Sequence, residues 1–296
     1  MKVKLKYFYA SSALLVALIL GAILTYPDQN LHIIFCDVGQ GDAILITKGT
    51  NQVLIDGGPS NKVLSCLSNH IPFWDRTIEM VVATHLEKDH LGGLPDVIER
   101  YNVSQLISHS LVSDTAIFWA FRDRVLEKNI PVYSPKAGDK IQIAGIVLRV
   151  LSPQEKMGDE LVWRREADKQ VLGALTYSIE PNEASIVTVL SYGDFDVLLP
   201  GDISSQIEGV IEIDKEIEVL KIAHHGSKYS SSKEFLERVD PDIAIISVGK
   251  NSYGHPTKEV LEELSNLEIK ILRTDRDGEV EVVSDGKTWY TSKNYD

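Results

Sequence analysis

The chain has 296 residues, 44% of them hydrophobic and 25% charged, a globular composition that excludes a disordered or low-complexity protein. Its formal net charge is −13, and the first 27 residues hold three lysines and no acid, so the remainder is more acidic still. That weighs against a long basic groove gripping nucleic acid, although a phosphodiester stays open as a substrate because bound metal ions neutralise phosphate locally.

Lys2, Lys4 and Lys6 precede an uncharged run over 7–26. As helix, that run would cover about 30 Å, the thickness of a bilayer core. Tyr7, Tyr9 and Tyr26 sit near its ends, where amphipathic rings prefer the interface. The expectation over 1–27 is an N-terminal transmembrane helix, a single-pass anchor in the cell membrane that leaves the remaining domain extracytoplasmic. The rival is a signal sequence whose cleavage releases a secreted protein. Cleavage after Ala22 would place Leu20 where a small residue is wanted, which favours the anchor. Pro27 and Asp28 end the helix, 28–30 read as a linker, and 31–296 as the main domain.

Apolar, branched runs at 31–36, 43–47 and 52–55, broken by glycines, predict three strands. A helix over 61–71 follows, then strand 79–84, helix 93–102, strand 103–108, helix 114–128 and strand 130–134. Segments 140–143 and 146–151 read as a hairpin. Strands 184–191 and 195–199 flank the turn Tyr192-Gly193-Asp194. Helix 203–212, strand 217–223, helix 232–239, strand 242–247, helix 256–266 and strand 268–272 complete the alternation, and a hairpin around Ser284-Asp285-Gly286 closes the chain. Strands thus cluster twice, each cluster leading into strand–helix alternation. The pattern predicts an α/β (α+β) fold of two similar halves, a four-layer αββα sandwich. The polar stretch 152–182 reads as a flap, a short helix near 159–169, or a plain surface excursion. Cys36 and Cys66 lie in apolar runs and read as small buried residues, with a disulfide between them left open.

The most informative segment is Thr84-His85-Leu86-Glu87-Lys88-Asp89-His90-Leu91-Gly92-Gly93, directly after Met80-Val81-Val82-Ala83. Two imidazoles and two carboxylates at the end of a buried strand are costly to place unless a cation compensates them. Three more strand ends carry such residues: Asp37-Val38-Gly39-Gln40-Gly41-Asp42, Leu199-Pro200-Gly201-Asp202, and Ala223-His224-His225-Gly226-Ser227. Tyr253-Gly254-His255-Pro256 is a fifth candidate. Asp37, Asp42 and Asp56 (before Gly57-Gly58) read as structural supports beneath a metal, and His32, His70 and His109 as unconnected structural histidines.

On these motifs, together with Phe35 to Ala43, Asn182 to Val187 and Ser247-Val248-Gly249, the chain resembles the metallo-β-lactamase superfamily. Within it, the chain is similar to the hydrolase domain of ComEC-type DNA-uptake competence proteins and their stand-alone relatives. The resemblance implies a metal-dependent hydrolase with one or two divalent ions. Zn²⁺ is the expected metal, with Mn²⁺ or Mg²⁺ as alternatives at the second position. It implies metal ligands His85, Glu87, Asp89, His90, Asp202 and one of the His224–His225 pair, taken as His225. Catalytic roles are implied for Asp89, His224 and His255, and substrate contacts for Asn182, Ser185 and Ser227. Glu87 stands where the superfamily commonly has histidine, and Asn182 and Ser185 stand near a further missing histidine, so the second position is richer in oxygen and weaker for zinc. The implied substrate is a phosphodiester, DNA among the candidates. The alternatives are another cell-surface or small-molecule ester or lactone, a phosphorylated wall polymer, or a non-catalytic metal-binding module. The membrane is a partner through the N-terminal helix, and no protein partner follows from the sequence.

Overall fold

Branched apolar residues in short runs separated by turns build two sheets, in a computed structural model that describes residues 2–167, 169 and 180–292, the side chains of 2–6, 23 and 24 excepted. Strands β1 (Leu31–Phe35), β2 (Ile44–Lys48) and β3 (Asn51–Ile55) form an antiparallel meander. Two short strands, β4 (Thr77–Ile78) and β6 (Asn102–Val103), pair with each other. Between and after them β5 (Met80–Ala83), β7 (Leu106–Ser108) and β8 (Val132–Tyr133) extend the first sheet in parallel from β3. The second sheet repeats the plan. Strands β9 (Lys140–Ile143), β10 (Ile146–Ser152), β11 (Val187–Tyr192) and β12 (Phe195–Leu199) are antiparallel, and β13 (Val219–Lys221), β14 (Ile243–Ile246) and β15 (Lys270–Arg273) follow in parallel. The closing hairpin, β16 (Val280–Ser284) and β17 (Trp289–Thr291), returns to β1, giving sheet orders β17-β16-β1-β2-β3-β5-β7-β8 and β15-β14-β13-β12-β11-β10-β9.

Strand alternation separates three apolar layers. Ile33 and Phe35 join Leu148, Val197 and Ile245 of the opposite sheet in a core between the sheets. Ile34, on the other face of β1, belongs to the cluster with Leu67, Val97 and Phe118 from helices Val63–His70, Leu94–Arg100 and Ala116–Glu127. Leu220, Ala244 and Ile246 lie with Phe235 and Leu264 of helices Lys233–Val239 and Lys258–Asn266. Each such side chain stabilises the fold by roughly 1.5–3 kcal/mol when fully buried. The order is helix, sheet, sheet, helix, the expected four-layer sandwich.

Four expectations change. The N-terminal segment is helical over Lys2–Leu24, with Leu14, Leu15, Val16, Leu18, Ile19 and Leu20 exposed. Among the described residues, however, no helix is long and apolar enough to cross a membrane. Cys36 and Cys66 are not separate thiols but a disulfide, their Cα atoms 5.9 Å apart. The predicted helix 203–212 shrinks to Ser205–Glu208, capped by the Ser204 hydroxyl and followed by Gly209. In 152–182, residues 168 and 170–179 lie outside the described residues, and the expected helix near 159–169 is a single 3₁₀ turn, Glu160–Trp163. Buried Arg122 pins that turn to the domain, its Nε donating to the Val162 carbonyl at 2.6 Å, so this part is packed rather than a free flap.

Candidate metal centre

The carboxyl ends of β3, β5, β12 and β13 open at one edge of the sandwich and carry Asp56, His85, Asp202 and Lys221 at or just beyond their last residues. The loop after β1 lies against the turn after β5. Gly41 adopts φ +132°, and a Cβ there would sit 2.1 Å from the Asp89 carbonyl oxygen, so only glycine lets the two segments meet. Asp89 and His90 lie in the short helix Lys88–Leu91. Asp56, His224 and His225 are held at φ 59°, 49° and 53°, left-handed backbone that costs a non-glycine residue roughly 1–3 kcal/mol and tends to persist at functional sites.

These elements bring together ligand atoms of four overlapping sets, each within 4.8 Å: His85, His90 and Asp202; Asp89, His90 and His225; Asp42, Asp202 and His225; and Asp42, Asp56 and His90. Each imidazole is oriented through Nδ1. For His90 the partner is Oδ2 of Asp56 at 2.7 Å, for His225 the Ser247 carbonyl at 2.8 Å, and for His85 the Thr84 hydroxyl at 3.1 Å. Asp56 is fixed in turn by the Thr84 backbone N–H at 2.8 Å and the Thr84 hydroxyl at 2.6 Å. All three Nε2 atoms are buried and lack a hydrogen-bond partner among the described residues. Those of His90 and His225 each stand 3.3 Å from Oδ2 of Asp202, at ion-pair distance but without hydrogen-bond alignment, and that of His225 is 3.5 Å from Asp89. Orphaned, inward-aimed imidazole nitrogens backed by such partners, with carboxylates between them, fit a divalent cation.

The electrostatics agree. Burial favours the neutral ring, yet the charges of Asp202 and Asp56 outweigh it and hold His90 well above the ordinary imidazole range. Against the same burial, Asp202 and Asp42 lift His225 to about 9. Burial opposes ionisation of Asp202 and Asp89, but His225 and His90 hold both well below the carboxylate range. Two imidazolium protons thus supply the positive charge that the carboxylates require. His85 goes the other way: burial, with the charge of His90, pushes it well below its usual value. Glu87 is 3.9 Å from Nε2 of His85 and its side chain is 41% exposed. Burial and then the charges of Asp89 and Asp202 raise it. The geometry therefore gathers His85, Asp89, His90, Asp202 and His225 and leaves Glu87, partly exposed, at the edge of the group beside His85.

His225 is buried and oriented, whereas His224 is half-buried at the rim, which separates the members of the pair. A line of rings leads outward: His224 to His255 at 5.5 Å between centroids, and His255 to exposed Tyr253 at 5.7 Å. Asn251 organises this rim, its Oδ1 accepting from the backbone N–H groups of Tyr253, Gly254 and His255. A cavity of about 550 Å³ opens beside Asp89, lined also by Gln40, Lys88, Lys250, Asn251 and Tyr253. Of the expected substrate contacts, Asn182 keeps a buried Oδ1 without a hydrogen-bond partner. Ser185 and Ser227 are buried and engaged instead with backbone, Ser185 accepting from Asp202 N–H at 3.2 Å and Ser227 from Tyr229 N–H at 3.3 Å. The Ser227 hydroxyl closes a local turn and the Ser185 hydroxyl holds the backbone of Asp202, which takes both away from solvent.

His32 and His70 are structural as expected, paired with Glu281 at 2.8 Å and Glu279 at 2.5 Å. His109 is only half satisfied: Nδ1 accepts from Leu111 N–H at 3.4 Å, Nε2 has no hydrogen bond, and burial lowers the ring to about 4. Sequence reasoning missed Thr84, Asn251 and above all Lys221. A signal existed for the last, since it is the one charge inside the apolar run Ile217 to Ala223 apart from Glu218.

Fold and site together define an αββα sandwich with a group of histidines and carboxylates at one sheet edge that could hold a metal ion. The family described as “Metallo-beta-lactamase superfamily” matches residues 36–250, and the chain belongs to that superfamily. It is 30% identical over 277 residues to ComE operon protein 3 of Bacillus subtilis (strain 168), covering 83% of this chain and 32% of that protein. It is 29% identical over 252 residues to Recombination protein 2 of Haemophilus influenzae, covering 83% and 28%. The chain therefore spans about a third of these relatives' length. Both relatives are ComEC-type competence proteins, in keeping with the resemblance drawn from the motifs. Among solved structures, the metallo-beta-lactamase fold protein YhfI of Bacillus subtilis superposes with a TM-score of 0.53 at 9% identity, covering 84% of this chain and 98% of that one, a likeness of fold alone.

Proposed function

We propose that this domain is a metal-dependent phosphodiesterase acting outside the cell membrane, with DNA among its substrates. The observation that carries the reading is the convergence of Asp89, His90, Asp202 and His225, with Asp89 also lining a cavity that Lys88 and Lys250 share. Two lysines beside the reacting centre of a chain of net charge −13 favour an anionic substrate. In this reading His90, His225, Asp89 and Asp202 hold the first cation, and His85 with Glu87 a weaker second one. A divalent ion bound there acts as a Lewis acid toward the phosphoryl group and acidifies water near neutral pH. Asp89, partly open to the cavity and held ionised, orients the attacking water. His224 and His255, both lowered by burial, meet the leaving oxygen as neutral N–H donors. Lys88 and Lys250 hold flanking phosphate, and Asn251 keeps His255 and Tyr253 at the rim.

The Cys36–Cys66 disulfide supports the extracytoplasmic placement, since such bonds persist in oxidising compartments. The exposed apolar side chains of the N-terminal helix support contact with a membrane.

The test is hydrolysis of bis(p-nitrophenyl) phosphate and of single-stranded DNA by the full chain, with metal content measured and Mn²⁺ or Zn²⁺ supplied. Turnover of the small diester and of DNA is expected. Metal-loaded protein that cleaves neither sinks the reading. Cleavage of an ester or lactone alone would assign the site to a neutral substrate.

A further inference from the structure

The most unusual side chain in the centre is Lys221, the last residue of β13, 1% exposed among carboxylates. We propose that Lys221 is a positioning residue that commits Asp202 to the metal through one oxygen only, and so makes the two cation positions unequal. This rests on the metal-binding reading given above.

An ammonium group has three N–H donors and needs three acceptors when buried. Lys221 has them: the Asp42 carboxylate, Oδ1 of Asp202 at 3.2 Å and the Gly201 carbonyl at 3.1 Å. The two oxygens of Asp202 therefore face different partners. Oδ1 is held by Lys221, while Oδ2 stands 3.3 Å from the Nε2 atoms of both His90 and His225. A carboxylate that links two cations oxygen by oxygen needs both, and here one is taken.

The arrangement is stiff. Parallel pairing of Leu198 with Leu220 fixes where β13 ends relative to β12, so Lys221 and Asp202 cannot drift apart. Asp42, the other counter-ion, is pinned by its own backbone: its N–H donates to the Asp89 carbonyl at 3.2 Å, and its carbonyl accepts from Gly58 N–H at 2.7 Å. The Asp37 to Asp42 loop thereby gains a purpose, which is to present Asp42 to Lys221. One position is thus complete, with Oδ2 of Asp202 at its heart, and the other must share that single oxygen or do without it.

The experiment is a titration of the chelator-stripped full chain with Mn²⁺, read by calorimetry and by electron paramagnetic resonance. For the native chain the expected result is one tight equivalent and a second at least about tenfold weaker, the scale on which groups supporting a ligand alter metal affinity. Two equal sites overturn the proposal without any variant. Lys221→Arg keeps the inequality. Lys221→Gln and Lys221→Met weaken the tight site and bring the two affinities together, with a spin-coupled Mn²⁺ pair at lower metal than in the native chain. A merely structural lysine would lower thermal stability in both neutral variants and leave the ratio of affinities unchanged, and that result overturns the proposal. No Mn²⁺ bound by the native chain removes the metal reading itself, an outcome distinct from bound metal with an unchanged ratio.

Discussion

Oδ2 of Asp56 stands 2.7 Å from Nδ1 of His90, and this one contact decides which nitrogen of His90 faces the centre. Asp56 lies beyond the end of β3 at φ 59° and also binds both the N–H and the hydroxyl of Thr84, so it ties the first sheet to the loop that carries His85. Replacing it by alanine removes the group that orients the His90 ring and leaves a buried N–H unpaired. The expected loss in metal affinity is about 10–100-fold. The expected loss in stability is roughly 1–3 kcal/mol for the orphaned donor. Asp56→Asn, which tolerates the left-handed backbone, should recover part of the stability but not the affinity. Calorimetric metal titration and urea unfolding separate the two effects. An Asp56→Ala protein with native metal affinity would show that the contact is only structural.

The unequal environments of His90 and Glu87 give a second expectation. His90 is fully buried, with Nδ1 held by Asp56 and Nε2 aimed into the centre, whereas Glu87 is 41% exposed and stands 3.9 Å from His85. His90→Ala should remove tightly bound metal altogether, whereas Glu87→Ala should leave the tight equivalent and remove the weaker one. Metal content after gel filtration, with and without added Mn²⁺, distinguishes them. Equal loss in both variants would mean that the two positions form one cooperative unit.

Much of this centre was legible because its residues are neighbours in sequence. His85, Glu87, Asp89 and His90 follow one apolar strand, and the cost of burying them is visible without a structure. The two-halved sandwich was equally legible from the clustering of strands. What was not legible depends on distant partners. Lys221 is only a charge inside an apolar run until the fold brings Asp42 and Asp202 to it from two separate segments. Cys36 and Cys66 each satisfy the pattern of a buried thiol, and only the packing of helix Val63–His70 against the end of β1 makes them a pair. Ser185 and Ser227 carry hydroxyls suited to substrate, but whether a serine turns outward or accepts from a backbone N–H, of its own turn or of a distant segment, is decided by the folded backbone.

The protonation pattern predicts opposite pH behaviour with and without metal. Free imidazole titrates near 6.5 in an unfolded chain. In the metal-free fold His225 is raised to about 9 and His90 also lies well above its ordinary value. A raised pKa contributes stability that is complete below the unfolded value and is lost as pH rises through the folded one. The thermal midpoint of the metal-free protein should therefore fall as pH rises from about 6.5 to about 9. Metal must displace those same protons, so its affinity, and the stabilisation it confers, should grow over the same range. Differential scanning calorimetry of stripped and Mn²⁺-loaded protein across this window tests both slopes. A flat profile for the stripped protein would show that neither histidine holds its proton there.

The cavity lysines give the last expectation. Lys88 and Lys250 line the space beside Asp89, and neither belongs to the ligand set. If each contacts one phosphate of single-stranded DNA, each contributes about 0.7 to the slope of log affinity against log salt. The Lys88→Ala, Lys250→Ala double variant should then bind DNA more weakly, with a slope shallower by about 1.4. Its turnover of bis(p-nitrophenyl) phosphate, which has no flanking phosphates to hold, should change little in kcat. Fluorescence anisotropy over a range of NaCl concentrations, beside kinetics on the small diester, reads both quantities. An unchanged salt slope would detach the lysines from substrate binding and shift the assignment toward a small or neutral substrate, for which the acidic surface of the chain is no obstacle.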